Sequence, residues 1–287
     1  MFILGVLHHL KPESNIKKTI LGITILLLLF SCKDETKKKN LIENKLTEFK
    51  WNFKDHKKFI YSYSLILNSE HSFDKEKPLE KMKVIGKGEL EVVVKNKHLA
   101  DVNIKNLKMD MISFNVKGEI IDTISNNSPN NLVQGLKTNG TFENQQHNMQ
   151  FDLIFSLPTK NRIGEKSDFK IQLPLNANGS SLISKGANTL TYEKNGEFEG
   201  RKCAIIKSEI NISNLNLEKE LIDKYTFSTT GKGTYYFDLK NGYLIGNEIE
   251  FTAEQKIDTE TNNENDNGMY AVSIQKGIIR MNLTKVE

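Results

Sequence analysis

Apolar residues alternate with polar ones along most of the chain from residue 50 onward, and this period of two restricts the fold more than any other feature. Successive side chains of a β-strand point to opposite faces of the sheet, so the pattern predicts strands with one buried and one solvated face. Parallel strands are apolar on both faces, and the alternation therefore favours antiparallel sheets. The alternating apolar residues include Phe59, Tyr61 and Tyr63; Leu90, Val92 and Val94; Ile112, Phe114 and Val116; Met149, Phe151, Leu153 and Phe155; Tyr235, Phe237 and Leu239; Ile249 and Phe251; Tyr270, Val272 and Ile274.

An internal repeat divides this β-rich body. Residues 86–99 align with residues 231–244, 145 positions later: both begin with Gly-Lys-Gly, continue as a six-residue strand and reach Lys-Asn with a Leu three residues beyond. The same offset places residues 59–67 on residues 204–212. We therefore predict an all-β fold made by duplication, with halves at residues 49–157 and 158–287. Each half would contribute to one curved sheet, or the two would form a two-lobed sandwich or half-barrel. Short helices are expected at most, and the only helical pattern lies at residues 217–225.

The glycines of the repeat have two interpretations. In the first interpretation, a loop that cradles phosphate is formed by the four glycines Gly86, Gly88, Gly231 and Gly233. A phosphate loop, however, needs a strand before it and a helix amino terminus after it. Strands follow both copies here, which favours structural glycines at a strand entry or a bulge. Asn241-Gly242, after the second copy, predicts a type I′ hairpin in which both central residues have positive φ.

Residues 1–31 predict a secretory signal peptide. Lys17 and Lys18 precede an apolar run at residues 20–30, which is too short for a membrane span of about 20 residues. Leu29-Phe30-Ser31-Cys32 resembles a bacterial lipobox. This resemblance implies that Cys32 is diacylated on its sulfur, becomes the first residue of the mature chain and anchors it to the membrane. An uncleaved anchor and a soluble secreted protein are the alternatives.

The segment after the lipobox reads as a tether over residues 32–48. Lys33-Asp34-Glu35 resembles the export signal that sends Bacteroidota lipoproteins to the outer face of the outer membrane. The resemblance implies a surface-exposed, lipid-anchored outer-membrane protein, with a periplasm-facing anchor as the alternative.

A second resemblance covers residues 55–285. Phe155-Ser156-Leu157-Pro158, followed by Ile163-Gly164-Glu165, and the later run Gly231-Lys232-Gly233-Thr234-Tyr235-Tyr236-Phe237-Asp238 with Gly242 are similar to motifs of an uncharacterised Bacteroidota lipoprotein family. The chain departs from the family at Glu165-Lys166-Ser167, where the family has Asp-Ser-Trp. Because the shared motifs describe sheet geometry, the resemblance implies no catalytic residue.

Residues that often carry chemistry are scattered. His56, His71, His98 and His147 lie far apart without metal-ligand spacing, and each is expected at the surface. Cys203 precedes an apolar strand segment and is expected to be a buried thiol without a nucleophilic role. No catalytic residue, metal site or cofactor is therefore predicted.

Two further segments keep two interpretations each. The acidic segment 258–268 would bind calcium or form a hairpin loop, and it lacks the EF-hand pattern. Trp51, with Phe49 and Phe53, would stack on a sugar or pack against the first strand at the edge of the domain.

Composition narrows the function classes. The 287 residues carry a formal net charge of +4 with both signs mixed along the chain, so no basic patch for nucleic acid is expected.

A curved sheet leaves a concave apolar face, and such faces are common ligand sites. This outline resembles periplasmic lipoprotein carriers in fold only. The leading hypothesis is a non-enzymatic envelope lipoprotein that binds an apolar or lipid-like ligand, and the alternative is a surface module that binds protein or glycan.

Overall fold

The computed structural model describes residues 48–143, 149–177, 180–215, 224–258 and 270–287. The signal peptide at residues 1–31, Cys32, Lys33-Asp34-Glu35 and the tether up to residue 47 lie outside these ranges. His147, residues 217–223 of the predicted helix and residues 259–268 of the acidic segment also lie outside them. In the described part of the chain, no helix has the length and apolar character needed to cross a membrane.

The described residues form eleven strands and one short helix, which confirms the all-β prediction. The strands and the helix have these bounds: β1 Lys58–Ser72, β2 Glu80–Asn96, β3 Leu99–Phe114, β4 Ile120–Asn127, β5 Asn131–Lys137, α1 Met149–Phe155, β6 Lys166–Ala177, β7 Ser180–Phe198, β8 Arg201–Leu215, β9 Tyr225–Asp238, β10 Tyr243–Asp258 and β11 Tyr270–Val286.

All eleven strands belong to one antiparallel sheet rather than to two packed sheets. Their order is β4-β3-β2-β1-β11-β10-β9-β8-β7-β6, and β5 pairs with β3 beyond the end of β4. The pairing of β1 with β11 extends from Phe59–Val286 to Ser72–Val272 and joins the early strands to the late ones. The sheet is not closed, so β4 and β5 together form one edge and β6 forms the other.

One face of the sheet, the inner face, holds the hydrophobic core. Residues 49–53 and 150–157 lie against this face, and we call them the plug. The Phe49 ring lies 5.3 Å from that of Tyr192 on β7, whereas the Trp51 backbone N–H donates a 2.7 Å hydrogen bond to the carbonyl of Thr138, just after β5. Because one short segment contacts strands from both ends of the strand order, the sheet must curl around the plug.

Helix α1 replaces a predicted strand. The alternation of Met149, Phe151, Leu153 and Phe155 predicted a strand, and that prediction is wrong. Every side chain from Phe151 to Leu157 is buried, because the curled sheet surrounds the segment. The polar residues Asp152 and Ser156 are buried together with the apolar ones, so the short alternation did not mark a solvated face and could not distinguish a strand from a buried helix.

Inner-face side chains hold α1 in place. The Gln150 amide donates to the Tyr63 hydroxyl, and the Tyr235 hydroxyl donates to the carbonyl of Leu153. The Asn247 amide donates to the carbonyl of Ile154 at 2.9 Å. Burial raises the pKa of Tyr63 and of Tyr235, so both phenols stay protonated. The plug is therefore hydrogen-bonded into the core rather than laid over it.

The turn at Asn241-Gly242 differs from the predicted type I′ hairpin. Four residues separate β9 from β10, and only Gly242, at φ +73°, has positive φ among them. The Asp238 carboxylate accepts hydrogen bonds from the backbone N–H groups of Lys240 and Asn241, both at 2.9 Å, which favours this longer turn. The hairpin whose two central residues both have positive φ joins β7 to β8, at Glu199 and Gly200.

The repeated glycines lie inside strands rather than at strand entries, and Gly88 lies at a register shift between β2 and β3, as the bulge alternative predicted. Gly88 faces Tyr63 across β1 and β2, and Gly233 faces Ser208 across β8 and β9. A Cβ on Gly231 would collide with the carbonyl oxygen of Glu250 on the neighbouring strand. Glycine there permits close approach of two backbones in the curled sheet.

The outer face of the sheet is polar and carries cross-strand ion pairs. Arg280 contacts Glu248 at 2.6 Å, and Glu91 contacts both Lys58, at 3.2 Å, and Lys105, at 2.6 Å. Burial raises the pKa of Glu91, but the hydrogen bonds and charges of these two lysines outweigh it and lower the pKa overall. The charged side chains of the alternating pattern thus lie on the face opposite the core.

Candidate ligand-binding wall on the inner face

The side chains that line the inner face differ between the two ends of the strands. Near the turns that join β2 to β3 and β9 to β10, aromatic residues of the plug fill it. Towards the end of the sheet where β1 leads into β2, one row of directly paired residues crosses eight strands and consists of small, polar and aliphatic side chains. In strand order the row is Met82, Ser69, Gln275, Ala253, Thr229, Ile212, Gly186 and Ile171.

A second set of polar residues lies one step further along the same face. His71 faces Ser273 across β1 and β11, and Ser184 lies on β7. We call Ser69, His71, Ser184, Thr229, Ser273 and Gln275 together the polar row. All six are buried, with Thr229 and Ser184 wholly inaccessible to solvent.

Several atoms of the polar row have no hydrogen-bond partner. They are His71 Nε2, Ser184 Oγ, Thr229 Oγ1 and Gln275 Oε1, and together they make up four of the seven such side-chain atoms in the described residues. Leaving a buried polar group without a partner costs about 1–3 kcal/mol, so folded proteins seldom keep several on one surface. A concentration of such groups is expected where a ligand or water completes the bonding.

His71 contradicts the prediction that each histidine lies at the surface. Only 3% of its surface is exposed, and its Nε2 lies 3.6 Å from Glu80 Oε2, too far for a hydrogen bond. Burial lowers the pKa of His71, and the nearby Glu80 carboxylate opposes this shift only in part. The imidazole is therefore neutral at pH 7.

An apolar ladder adjoins the polar row on the same face. Leu67, Val84, Met111 and Ile124 face one another directly across β1, β2, β3 and β4, and Met82 and Met109 flank them. Val84 is buried, Leu67 and Met111 are half-buried, and Ile124 is 39% exposed. The inner face thus becomes progressively more accessible from β1 towards the β4 edge.

Strand β11 explains why the sequence did not reveal this site. Tyr270, Val272 and Ile274 were expected to face the core, but Ala271, Ser273 and Gln275 are the buried residues. Neighbour pairing fixes this orientation, since Gln275 faces Ser69 and Ala253 directly. The sequence did contain one signal. Tyr270, Val272 and Ile274 occupy even-numbered positions, whereas the core residues Ile279 and Met281 of the same strand occupy odd-numbered positions and therefore lie on the other face.

Other residues singled out in the sequence lie elsewhere. Cys203 is a buried thiol whose pKa is raised by burial, the opposite of an activated nucleophile. His98 is exposed in the turn between β2 and β3, and the half-buried His56 has ring contacts with Phe59 and Tyr243. None of these residues contributes to the polar row.

Trp51 packs against the first strand, as one of the two interpretations predicted, because its ring lies 5.3 Å from that of Phe59 on β1. It does so buried in the core rather than at the edge of the domain. Phe49 and Phe53 are buried beside it. Asp258, the first residue of the acidic segment, forms ion pairs with Lys75 at 2.8 Å and with Lys256 at 3.6 Å.

The described residues contain no group of three or more His, Cys, Asp or Glu side chains that would hold a metal ion. No protein-family model matches the chain, and neither does any curated protein sequence. The polar row and the apolar ladder are therefore the features from which a function is argued.

Proposed function

We propose that this protein is a non-enzymatic lipoprotein of the bacterial envelope that holds an apolar or lipid-like ligand against the inner face of its curled sheet. The observation that carries the proposal is the adjacency of the polar row and the apolar ladder on one face. A molecule with a polar head and an apolar tail would contact both at once. No cofactor and no nucleic acid takes part.

The membrane attachment rests on the lipobox-like sequence that ends at Cys32. Two or more acyl chains anchor a protein stably, at about 0.8 kcal/mol per buried methylene. Lys33-Asp34-Glu35 supports transfer to the outer face of the outer membrane. Membrane anchoring would keep the curled sheet close to a source of lipid-like ligands.

The test is whether lipid copurifies with the protein. The full chain is purified from envelopes in mild detergent, and bound small molecules are identified by native mass spectrometry. Met111→Glu places a charge on the apolar ladder and is expected to reduce copurified lipid at least fivefold. Ile112→Glu places the same charge on the outer face of β3, at a residue that is also half-buried, and serves as the matched control.

Equal lipid content in the two variants would refute binding at the ladder. A wild-type protein without any bound apolar molecule would refute the carrier proposal as a whole.

A second candidate function, a surface module that binds another protein, is favoured by the β4 edge. Ile120 and Ile121 are 64% and 65% exposed on an edge strand with no Lys or Pro to block strand addition. The opposite edge, β6, carries Lys166, Lys170 and Pro174. Branched aliphatic side chains suit a protein partner better than a glycan, which aromatic platforms favour.

A photo-crosslinking amino acid at position 121, compared with one at the exposed Ile163, tests this alternative in intact cells. A discrete protein adduct at position 121 alone would favour the interaction module. Absence of an adduct at both positions would exclude a stable partner at this edge.

We also propose that the β body arose by duplication. Tyr63–Gly88 and Leu65–Gly86 have counterparts, 145 positions later, in Ser208–Gly233 and Ile210–Gly231. This equal register supports a common origin for the β1–β2 and β8–β9 pairs.

A further inference from the structure

We infer that the ligand is an uncharged, single-tailed lipid of the monoacylglycerol class, with its hydroxylated head on the polar row and its tail along the apolar ladder. This inference rests on the proposed function and specifies the chemistry of its ligand. The charge, the hydrogen-bonding groups and the geometry of the inner face all favour such a ligand.

The charge of the inner face favours an uncharged head group. In the rows of paired residues that contain the polar row and the apolar ladder, no Lys or Arg lies on the inner face of the described strands, and the acidic residues on that face are Glu80 and Asp122. Asp122 is exposed on the edge strand β4, where it faces Ser113. Glu80 is at the rim, with about two-thirds of its side chain exposed. An ionised head group would be buried without a counter-charge, which is unfavourable by several kcal/mol.

His71 does not supply that counter-charge. The groups that face it are Glu80, across β1 and β2, and the uncharged Ser273, across β1 and β11, and its ring contacts Phe73. Its burial favours the neutral imidazole, as described above. A fatty-acid carboxylate or a phosphate would therefore meet no fixed positive charge in the described part of this wall.

The hydrogen-bonding capacity of the polar row favours a hydroxylated head group. Gln275 Oε1 only accepts, whereas the Thr229 and Ser184 hydroxyls both donate and accept. A head with adjacent hydroxyl groups also donates and accepts, and would satisfy such a set. An ester carbonyl would supply a further acceptor. A purely apolar ligand would leave all of these atoms without partners.

The shape of the apolar ladder favours a single acyl chain. Four paired residues on neighbouring strands, from Leu67 to Ile124, span three strand separations, or about 14 Å at about 4.8 Å each. The ladder is a single row flanked by Met82 and Met109, which suits one extended chain. Methionine side chains adapt to a flexible partner, and the increasing exposure towards β4 gives the tail a route of entry.

Photo-crosslinking with a defined probe tests this inference. The purified full chain is irradiated with monopalmitoylglycerol that carries a diazirine at the end of its tail. We expect adducts on peptides of β2 to β4 that contain Met82, Met109, Met111 or Ile124. Unlabelled monopalmitoylglycerol should compete at least tenfold better than palmitate or a palmitoyl quaternary amine.

Variants then test the head position. Thr229→Val and Gln275→Met keep the side-chain volumes but remove the hydrogen-bonding atoms, and each is expected to reduce crosslinking at least fivefold. Thr230→Val makes the same change on the exposed outer face of β9 and should leave crosslinking unchanged. Thermal unfolding of each variant verifies that it is folded.

The possible results separate this inference from the function on which it rests. Equal or better competition by palmitate overturns the uncharged head and leaves lipid binding intact. Crosslinking that is indifferent to Thr229→Val and Gln275→Met overturns the assignment of the head to the polar row. Failure of the probe to crosslink, together with the absence of copurified lipid, overturns the proposed function as well.

Discussion

At the scale of single residues, Thr229 is a buried hydroxyl that stabilises nothing in the described structure. Its Oγ1 has no hydrogen-bond partner and no contact with solvent. Thr229→Val removes an unsatisfied group while conserving shape, so we expect the ligand-free protein to gain about 1 kcal/mol in free energy of unfolding. Urea denaturation measures this change. Thr230→Val, on the exposed face, should shift the stability by less than about 0.5 kcal/mol.

A loss of stability in Thr229→Val would mean that its hydroxyl has a partner in the folded protein. The argument for a ligand at this residue would then fail.

His71 makes a second prediction at this scale, for the dependence of stability on pH. Because burial lowers its pKa in the folded state from the ordinary 6.5, the unfolded chain binds the proton more tightly. The stabilising contribution of neutral His71 is present above about pH 6.5 and is lost as the pH falls below it. Denaturation at pH 7.5 and 5.5 should show a larger loss in the wild type than in His71→Gln.

His98→Gln, the same substitution at an exposed histidine in the turn between β2 and β3, is the control for the change of side chain. An identical loss in His71→Gln and the wild type would show that His71 does not titrate differently on folding.

At the scale of elements, the turn between β9 and β10 depends on Gly242 for two reasons. Its φ is +73°, and a Cβ there would lie 2.8 Å from the Cβ of Asn52 in the plug. Gly242→Val is therefore expected to destabilise the protein by more than about 1 kcal/mol, measured by thermal or urea unfolding. Gly118→Val is the matched control, since Gly118 has φ +83° but open space around it.

Gly118→Val should show the strain of a positive φ without a collision, so its loss of stability should be smaller than that of Gly242→Val. Unchanged unfolding of Gly242→Val would contradict the assigned turn.

The elements also show how far periodicity reaches. It correctly predicted strands at Phe59 to Tyr63, at Leu90 to Val94 and at Tyr235 to Phe237, where one side of each strand is buried. Periodicity failed at α1, where the polar residues are buried together with the apolar ones, and at β11, where the buried residues are polar. The candidate site was missed for that second reason, because a rule that places apolar residues inside cannot find buried serine, threonine and glutamine.

At the scale of the whole molecule, membrane attachment is expected to depend on one atom, the sulfur of Cys32. Cys32→Ala removes the acylation site and should move the protein from the membrane to the soluble fraction on cell fractionation. Cys203→Ala is the control, because Cys203 is a buried thiol inside β8 and should leave the protein in the membrane. Retention of Cys32→Ala in the membrane fraction would refute the lipid anchor.

The sequence by itself determined the antiparallel β character, because side-chain alternation is a local property of each strand and needs no knowledge of its neighbours. Only the tertiary structure decided that the strands form a single unclosed sheet, since the β1–β11 pairing joins residues at least 200 positions apart. It also decided which face of β11 is buried and that α1 fills the curl. Strand partners and burial arise from contacts between distant segments, and local periodicity contains no information about them.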